Sequence, residues 1–207
     1  MYIPSHFQES DLTVLHKMMQ EARLATLVTA TPEGLIGTPL PLFLVPDEGE
    51  YGTLYGHVAR ANAQWRLPPA GNAMAIFMGP DAYVSPSWYP SKQEQGKVVP
   101  TWNYVAIHAY GPVEFFDESD RLLEVVTRLT NRHEGPRAEP WAVNDAPEEH
   151  IRAQLRGIVG LRLPIARLDG KTKMSQNRTA EDRAGVAKGL AESADASDRA
   201  VAPLIPD

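Results

Sequence analysis

Thr101-Trp102-Asn103-Tyr104-Val105-Ala106-Ile107-His108-Ala109-Tyr110-Gly111-Pro112-Val113-Glu114-Phe115-Phe116 is the stretch on which the fold class turns. Its β-branched and aromatic residues alternate with small ones over a length that only a long strand explains. Gly111-Pro112 has no place in a regular ladder and marks a bend or bulge. His108 sits inside the alternating Val105–Ala109 segment, where a satisfied structural histidine is the expectation.

Reading outward, the apolar run from Ala73 to Met78, closed by Gly79-Pro80, predicts another strand, and Thr53 to His57 a further one. Leu24 to Ala30 is a β-rich run stopped by the turn Thr31-Pro32-Glu33-Gly34. The following run, Leu35 to Val45, holds Pro39 and Pro41 and reads as an interrupted or edge strand. Ahead of it, Ser10 reads as the cap of a helix with Leu12, Leu15, Met18, Met19 and Ala22 on one side, ending near Arg23.

Downstream, Leu122, Leu123, Val125, Val126 and Leu129 form the stripe of an amphipathic helix after Asp117. A second helix is expected from Pro147, as its first residue, to about Arg156. Ile158 to Leu168 returns to strand, Asp169-Gly170 turns the chain, and Thr179 with Asp182 caps a last helix to about Glu192. Short strands joined by turns predict a mainly β, α+β fold: a closed or nearly closed barrel with peripheral helices. A single domain over 1–192 is expected, with a polar tail over 193–207 that is poorly ordered or docked on a partner.

Composition narrows the chemistry. The chain has 207 residues, 43% hydrophobic and 22% charged, ordinary values for a globular protein. No apolar run approaches the length that crosses a bilayer, and the start Met1-Tyr2-Ile3-Pro4 lacks the pattern of a signal peptide, so a cytoplasmic location is expected. Cysteine is absent, which removes disulfides, thiolate metal sites and a cysteine nucleophile. The net charge of -6 opposes non-specific nucleic-acid binding.

Three constellations can carry chemistry. The first, Tyr55 to Trp65, sets His57, Arg60, Asn62 and Gln64 among small residues. Arg60 offers a planar fork of donors suited to phosphate, and equally suits a surface ion pair. The second runs through Ser85-Pro86-Ser87-Trp88-Tyr89-Pro90-Ser91-Lys92 and Val99-Pro100-Thr101-Trp102-Asn103-Tyr104. Large amphipathic rings among hydroxyls, an amide and Lys92 suit a flat heteroaromatic ligand; each tryptophan taken singly fills a core or an interface just as well. The third, Gly170-Lys171-Thr172-Lys173-Met174-Ser175-Gln176-Asn177-Arg178, gathers three cations between a strand and a helix. That arrangement suits an anion or a solvated linker. The histidines are too scattered for a metal signature, and no HExxH, GxSxG or GxGxxG occurs. No metal site and no catalytic residue are assigned.

These motifs, with Gly56-His57-Val58-Ala59-Arg60-Ala61-Asn62 and Lys173-Met174-Ser175-Gln176-Asn177 in the same order, resemble the PaiB-like family of FMN-binding negative transcriptional regulators, from Met1 to about Leu190. The resemblance implies a split β-barrel of the flavin reductase and pyridoxamine-phosphate-oxidase type, and a homodimer with FMN between subunits. It makes Arg60 and Lys92 phosphate-ligand candidates, with Lys171 and Lys173 as further anion contacts. Ser85, Ser87, Thr101, Asn103, Gln176 and Asn177 become partners of the phosphate, ribityl chain or ring edge, and Trp88 and Trp102 become walls for the ring. The implied function is negative regulation of transcription, direct or indirect. The sequence shows no helix-turn-helix, and the last helix mixes Arg183 and Lys188 with Glu181, Asp182 and Glu192, a solvated face and not a DNA reader. The alternatives are an FMN-dependent oxidoreductase, or a haem-binding or haem-degrading protein with a histidine such as His57 as ligand.

Overall fold

A computed structural model describes residues 1–92 and 96–207; Gln93 to Gln95, within the loop expected over Pro86–Pro100, lie outside the described residues. Ten strands form two sheets. They are β1 (Gln8–Glu9), β2 (Ala25–Thr31), β3 (Gly34–Leu40), β4 (Leu42–Val45), β5 (Thr53–Ala59), β6 (Ala73–Val84), β7 (Thr101–Gly111), β8 (Glu114–Phe116), β9 (Ile158–Pro164) and β10 (Arg167–Lys173). Six strands hydrogen-bond in the order β1-β10-β7-β6-β2-β3 and four in the order β4-β5-β9-β8. Among the described residues the α-helices that matter here are α1 (Leu12–Glu21), α2 (Ser119–Glu134), α3 (Glu148–Leu155), α4 (Ala180–Ala191) and α5 (Ala196–Val201).

The chain resolves into two compact units, and β6 and β7 contribute to both. The first holds Met1–Leu15, Met78–Ile107 and Asp169–Asp207; the second holds His16–Phe77 and His108–Leu168. In the first unit Val105, Ile107, Met174, Val186, Leu190 and Val201 are buried. In the second, α2 turns Leu122, Val125 and Leu129 inward onto Phe43, Phe116 and Leu155. Leu123, one residue off that stripe, stays 39% exposed. Arg132 donates to the carbonyl oxygens of Leu42 (2.6 Å) and Ala22 (3.0 Å) and to that of Gln20, so it closes the C-terminal end of α1.

Prolines and glycines break the strands largely where the sequence places them. Leu35–Val45 divides at Pro41 into β3 and β4, which join different sheets, and the Thr101–Phe116 run divides after Gly111. A side chain at Gly111 would collide with the Pro164 carbonyl oxygen at 1.9 Å, so the bend follows from close backbone approach.

Several expectations need correction. Asp11, not Ser10, caps α1, accepting from the backbone N–H of Thr13 (2.8 Å) and Val14 (3.2 Å), and α1 ends at Glu21. β6 does not stop at Gly79-Pro80 but continues to Val84. Its ladder with β2 covers only Met74–Phe77, so beyond it the missing N–H of Pro80 deprives no β2 acceptor. Asp169-Gly170 lies inside β10 and is not a turn; Gly170 is needed because a Cβ there would meet Leu15 at 2.3 Å and the Glu9 carbonyl oxygen at 2.7 Å. Pro147 is the cap of α3 and not its first residue. The tail after Ser193 is helical over α5 and a 3-10 turn, with Val201 and Ile205 buried and Arg183 Nε donating to the Pro206 carbonyl (3.0 Å). The Thr179 cap holds, its hydroxyl accepting from Asp182 N–H at 3.3 Å.

Candidate functional site

In the first unit, β10 and β7 bring the second and third constellations together. Residues two apart on a strand share a face. Lys171 and Lys173 are such a pair on β10, and both reach the ring of Tyr104 on β7, at 5.1 and 6.0 Å from its centroid. Lys171 is only 8% exposed; it donates to the Tyr2 carbonyl oxygen at 3.2 Å and lies 5.9 Å from the Tyr2 ring. Lys173 donates to the Thr101 hydroxyl and the Trp102 carbonyl oxygen, with the Phe7 ring 6.0 Å away. Among the described residues neither lysine pairs with a carboxylate. Burial, reinforced by the charges of Lys171 and Arg178, holds the Lys173 ammonium below the usual lysine range. Two lysines beside an aromatic ring without a described carboxylate partner form an arrangement that can take up an anion.

The turn after β10 is rigid in its own right. Ser175 has φ 63, the one non-glycine residue with positive φ among the described residues, and it is buried. Its hydroxyl donates to Asn103 Oδ1 at 3.2 Å and accepts from Asn103 Nδ2 at 3.0 Å, with Asn103 itself fully buried. Gln176 accepts from Met174 N–H at 2.6 Å and donates to the Thr172 carbonyl, so its amide closes the turn. Asn177 is exposed.

Ser85 caps a 3-10 turn over Pro86–Trp88, accepting from Ser87 N–H at 3.2 Å. Trp88 packs on α4, Tyr89 is buried, and Lys92 and Ser87 are exposed. Trp102 is 52% exposed and meets Tyr83 edge-on at 6.0 Å.

The first constellation lies in the second unit and is committed elsewhere. Arg60 Nε donates to the Arg156 carbonyl (2.8 Å), Nη2 to that of Ile158 (3.2 Å), and Nη1 pairs with Asp117 (3.2 Å). Asn62 accepts from Gln64 N–H (2.8 Å) and donates to the Thr38 hydroxyl (2.9 Å). Gln64, fully buried, donates to Leu27 O, Thr29 Oγ1 and Ile36 O, a tie between β2 and β3. Burial lowers the pKa of His57 on β5, and its Nδ1 has no hydrogen-bond partner among the described residues. His108 meets the Tyr110 hydroxyl at 3.2 Å.

Sequence reasoning left out Tyr2, Phe7 and Asp182. The first two reach the lysines beside β1, a two-residue strand too short to read from any pattern. A separate cavity of about 960 Å³ lies between α2 and α3, lined by Leu123, Thr127, Asn131, Val143, Ile151 and Leu155, and no residue from the three constellations borders it.

A protein-family model described as "Putative FMN-binding domain" matches residues 1–167. The "Protease synthase and sporulation protein PAI 2" of Bacillus subtilis is 34% identical over 100% of this chain and 97% of its own length. Among solved structures, the flavocytochrome Anf3 of Azotobacter vinelandii superposes with TM-score 0.61 at 13% identity, covering 88% of this chain and 78% of that one. The FAD and heme binding protein of Mycobacterium smegmatis gives TM-score 0.59 at 19% identity, covering 86% and 78%. At such identities the likeness speaks for the fold, which is the split β-barrel.

Proposed function

The chain belongs to the FMN-binding domain family matched over residues 1–167, a PaiB-like member, and we propose that its FMN phosphate is held by Lys171, Lys173 and Arg178. The observation that carries this reading is the pair Lys171, buried, and Lys173, half-buried, beside the Tyr104 ring with no carboxylate partner among the described residues. A phosphate near charge −2 meets that need, and charge-assisted donors bind it about twice as strongly as neutral ones. Thr101 and Asn103 stand beside the lysines as neutral partners. Arg60 ranks behind them, because two carbonyls and Asp117 already occupy its donors. FMN, when bound, supplies electron transfer; the protein binds, orients and shields it.

As regulator, the protein is read as acting indirectly, through a partner or by removing an inducing metabolite. The net charge of -6 supports this over direct DNA contact. A second reading, haem binding, rests on His57, whose buried Nδ1 has no hydrogen-bond partner among the described residues and whose pKa burial lowers, favouring the neutral ring that a metal ligand needs. The visible spectrum of freshly purified protein separates the two: a two-band yellow spectrum supports flavin, and a Soret band supports haem. Lys173→Gln is expected to weaken FMN binding about ten- to hundredfold, the cost of one charge-assisted contact. Unchanged affinity in both Lys171→Gln and Lys173→Gln overturns the phosphate assignment. A band shift of upstream DNA at low salt overturns the indirect reading.

A further inference from the structure

The Ser85–Lys92 segment packs on one helix and the turn before it, both beyond residue 167 where the family match ends. Trp88 lies in a notch made by two glycines four residues apart on α4. A Cβ on Gly189 would sit 2.4 Å from the indole ring, and one on Gly185 would sit 2.0 Å from the Trp88 carbonyl oxygen. Each glycine inside a helix costs about 1 kcal/mol against alanine, so two in α4 are explained by the space they leave.

Asp182, buried in the first turn of α4, accepts from the Ser91 hydroxyl at 2.8 Å and from Ser91 N–H at 3.1 Å, one bond to each carboxylate oxygen. Arg178 stacks over the Tyr89 ring at 4.8 Å, and its charge is one of those that lower the Lys173 pKa. Arg178, one of the three cations proposed for the phosphate, therefore meets the same aromatic segment that packs on α4.

We infer that α4 is a positioning element of the cofactor site: Asp182 and the Gly185–Gly189 notch set the conformation of Ser85–Lys92, and through it the affinity for FMN. Asp182 acts here as a positioning residue. The inference rests on the flavin reading proposed above. It also extends the site from Lys171–Arg178 into the following helix, whose sequence carries no ligand-binding motif.

Gly189→Ala is the discriminating variant. It improves helix propensity, so it is not expected to lower the melting temperature through α4 itself, yet it must displace the indole. Expected are a changed tryptophan emission, absent when the same change is made in a Trp88→Phe background, and an FMN dissociation constant raised at least about tenfold. Asp182→Asn is expected to weaken FMN in the same direction, with Asp182→Glu no rescue because the buried space is fixed. FMN affinity unchanged in both Gly189→Ala and Asp182→Asn, with the indole shown to have moved, overturns the inference and leaves the flavin reading intact. Failure of the unaltered protein to bind FMN overturns both.

Discussion

His57 faces Gly160 across the β5–β9 ladder, and nothing in its chemical type distinguishes it from the other histidines. Burial does: it lowers the imidazole pKa, so the folded protein refuses a proton that the unfolded chain accepts near pH ~6.5. Where the unfolded state binds more protons, stability rises with pH. The His57 contribution therefore falls as pH drops below about 6.5 and is constant above it. Urea unfolding at pH 7.5 and 5.5 should show a larger loss on acidification for the unaltered protein than for His57→Gln. Identical losses would mean that the ring is not buried neutral. Arg60 and Lys173 make the complementary point. Both are cations inside polar motifs, and the sequence gives each a phosphate role or a bland one. What separates them is which oxygens the fold brings near: carbonyls of Arg156 and Ile158 plus Asp117 for Arg60, and for Lys173 only a hydroxyl and a carbonyl, beside two more cations.

At the scale of elements, the turn joining β10 to α4 tests whether local strain is offset by a buried polar pair. Ser175 holds a left-handed backbone at a cost of about 1 kcal/mol relative to glycine, and its hydroxyl satisfies the buried Asn103 amide. Losing that partner costs about 1–3 kcal/mol. Ser175→Ala should therefore be destabilising by the hydrogen-bond loss, and Ser175→Gly less so by about 1 kcal/mol because it relieves the left-handed strain while losing the same bonds. If alanine and glycine destabilise equally in urea titrations, the backbone is not strained there. Such features also mark the limit of sequence reading. Strand breaks at Pro41 and Gly111, the inward stripe of α2 and the Thr179 cap were legible because each depends on a local rule. Gly170 and Pro80 were misread because the same residue types serve turns and close strand approach, and only the neighbouring strand decides which. Likewise the cation-rich run was visible in the sequence, whereas Tyr2 and Phe7 reach its lysines, and Asp182 reaches Ser91, only through non-local pairing.

For the whole molecule, the open question is what covers its exposed aromatic surface. Tyr83 and Trp102 stand edge-to-face at 6.0 Å, 45% and 52% exposed, with Trp102 on the strand that also carries Thr101 and Asn103. Solvation of two such rings is unfavourable: roughly 200 Å² of shared exposed ring at ~25 cal/mol/Å² is about 5 kcal/mol available to a partner that covers them. We propose that a homodimer, implied by the family resemblance, uses that energy, with Trp102 at its interface as a wall for the flat cofactor. Trp102→Glu places a charge in the patch and should shift the protein toward monomer in sedimentation velocity, with FMN affinity falling in step. Trp102→Phe, which keeps an apolar ring, should largely retain both. A Trp102→Glu protein that remains dimeric and still binds FMN as tightly would locate the interface and the ring wall elsewhere. A loss of FMN without a loss of dimer would assign Trp102 to the cofactor alone.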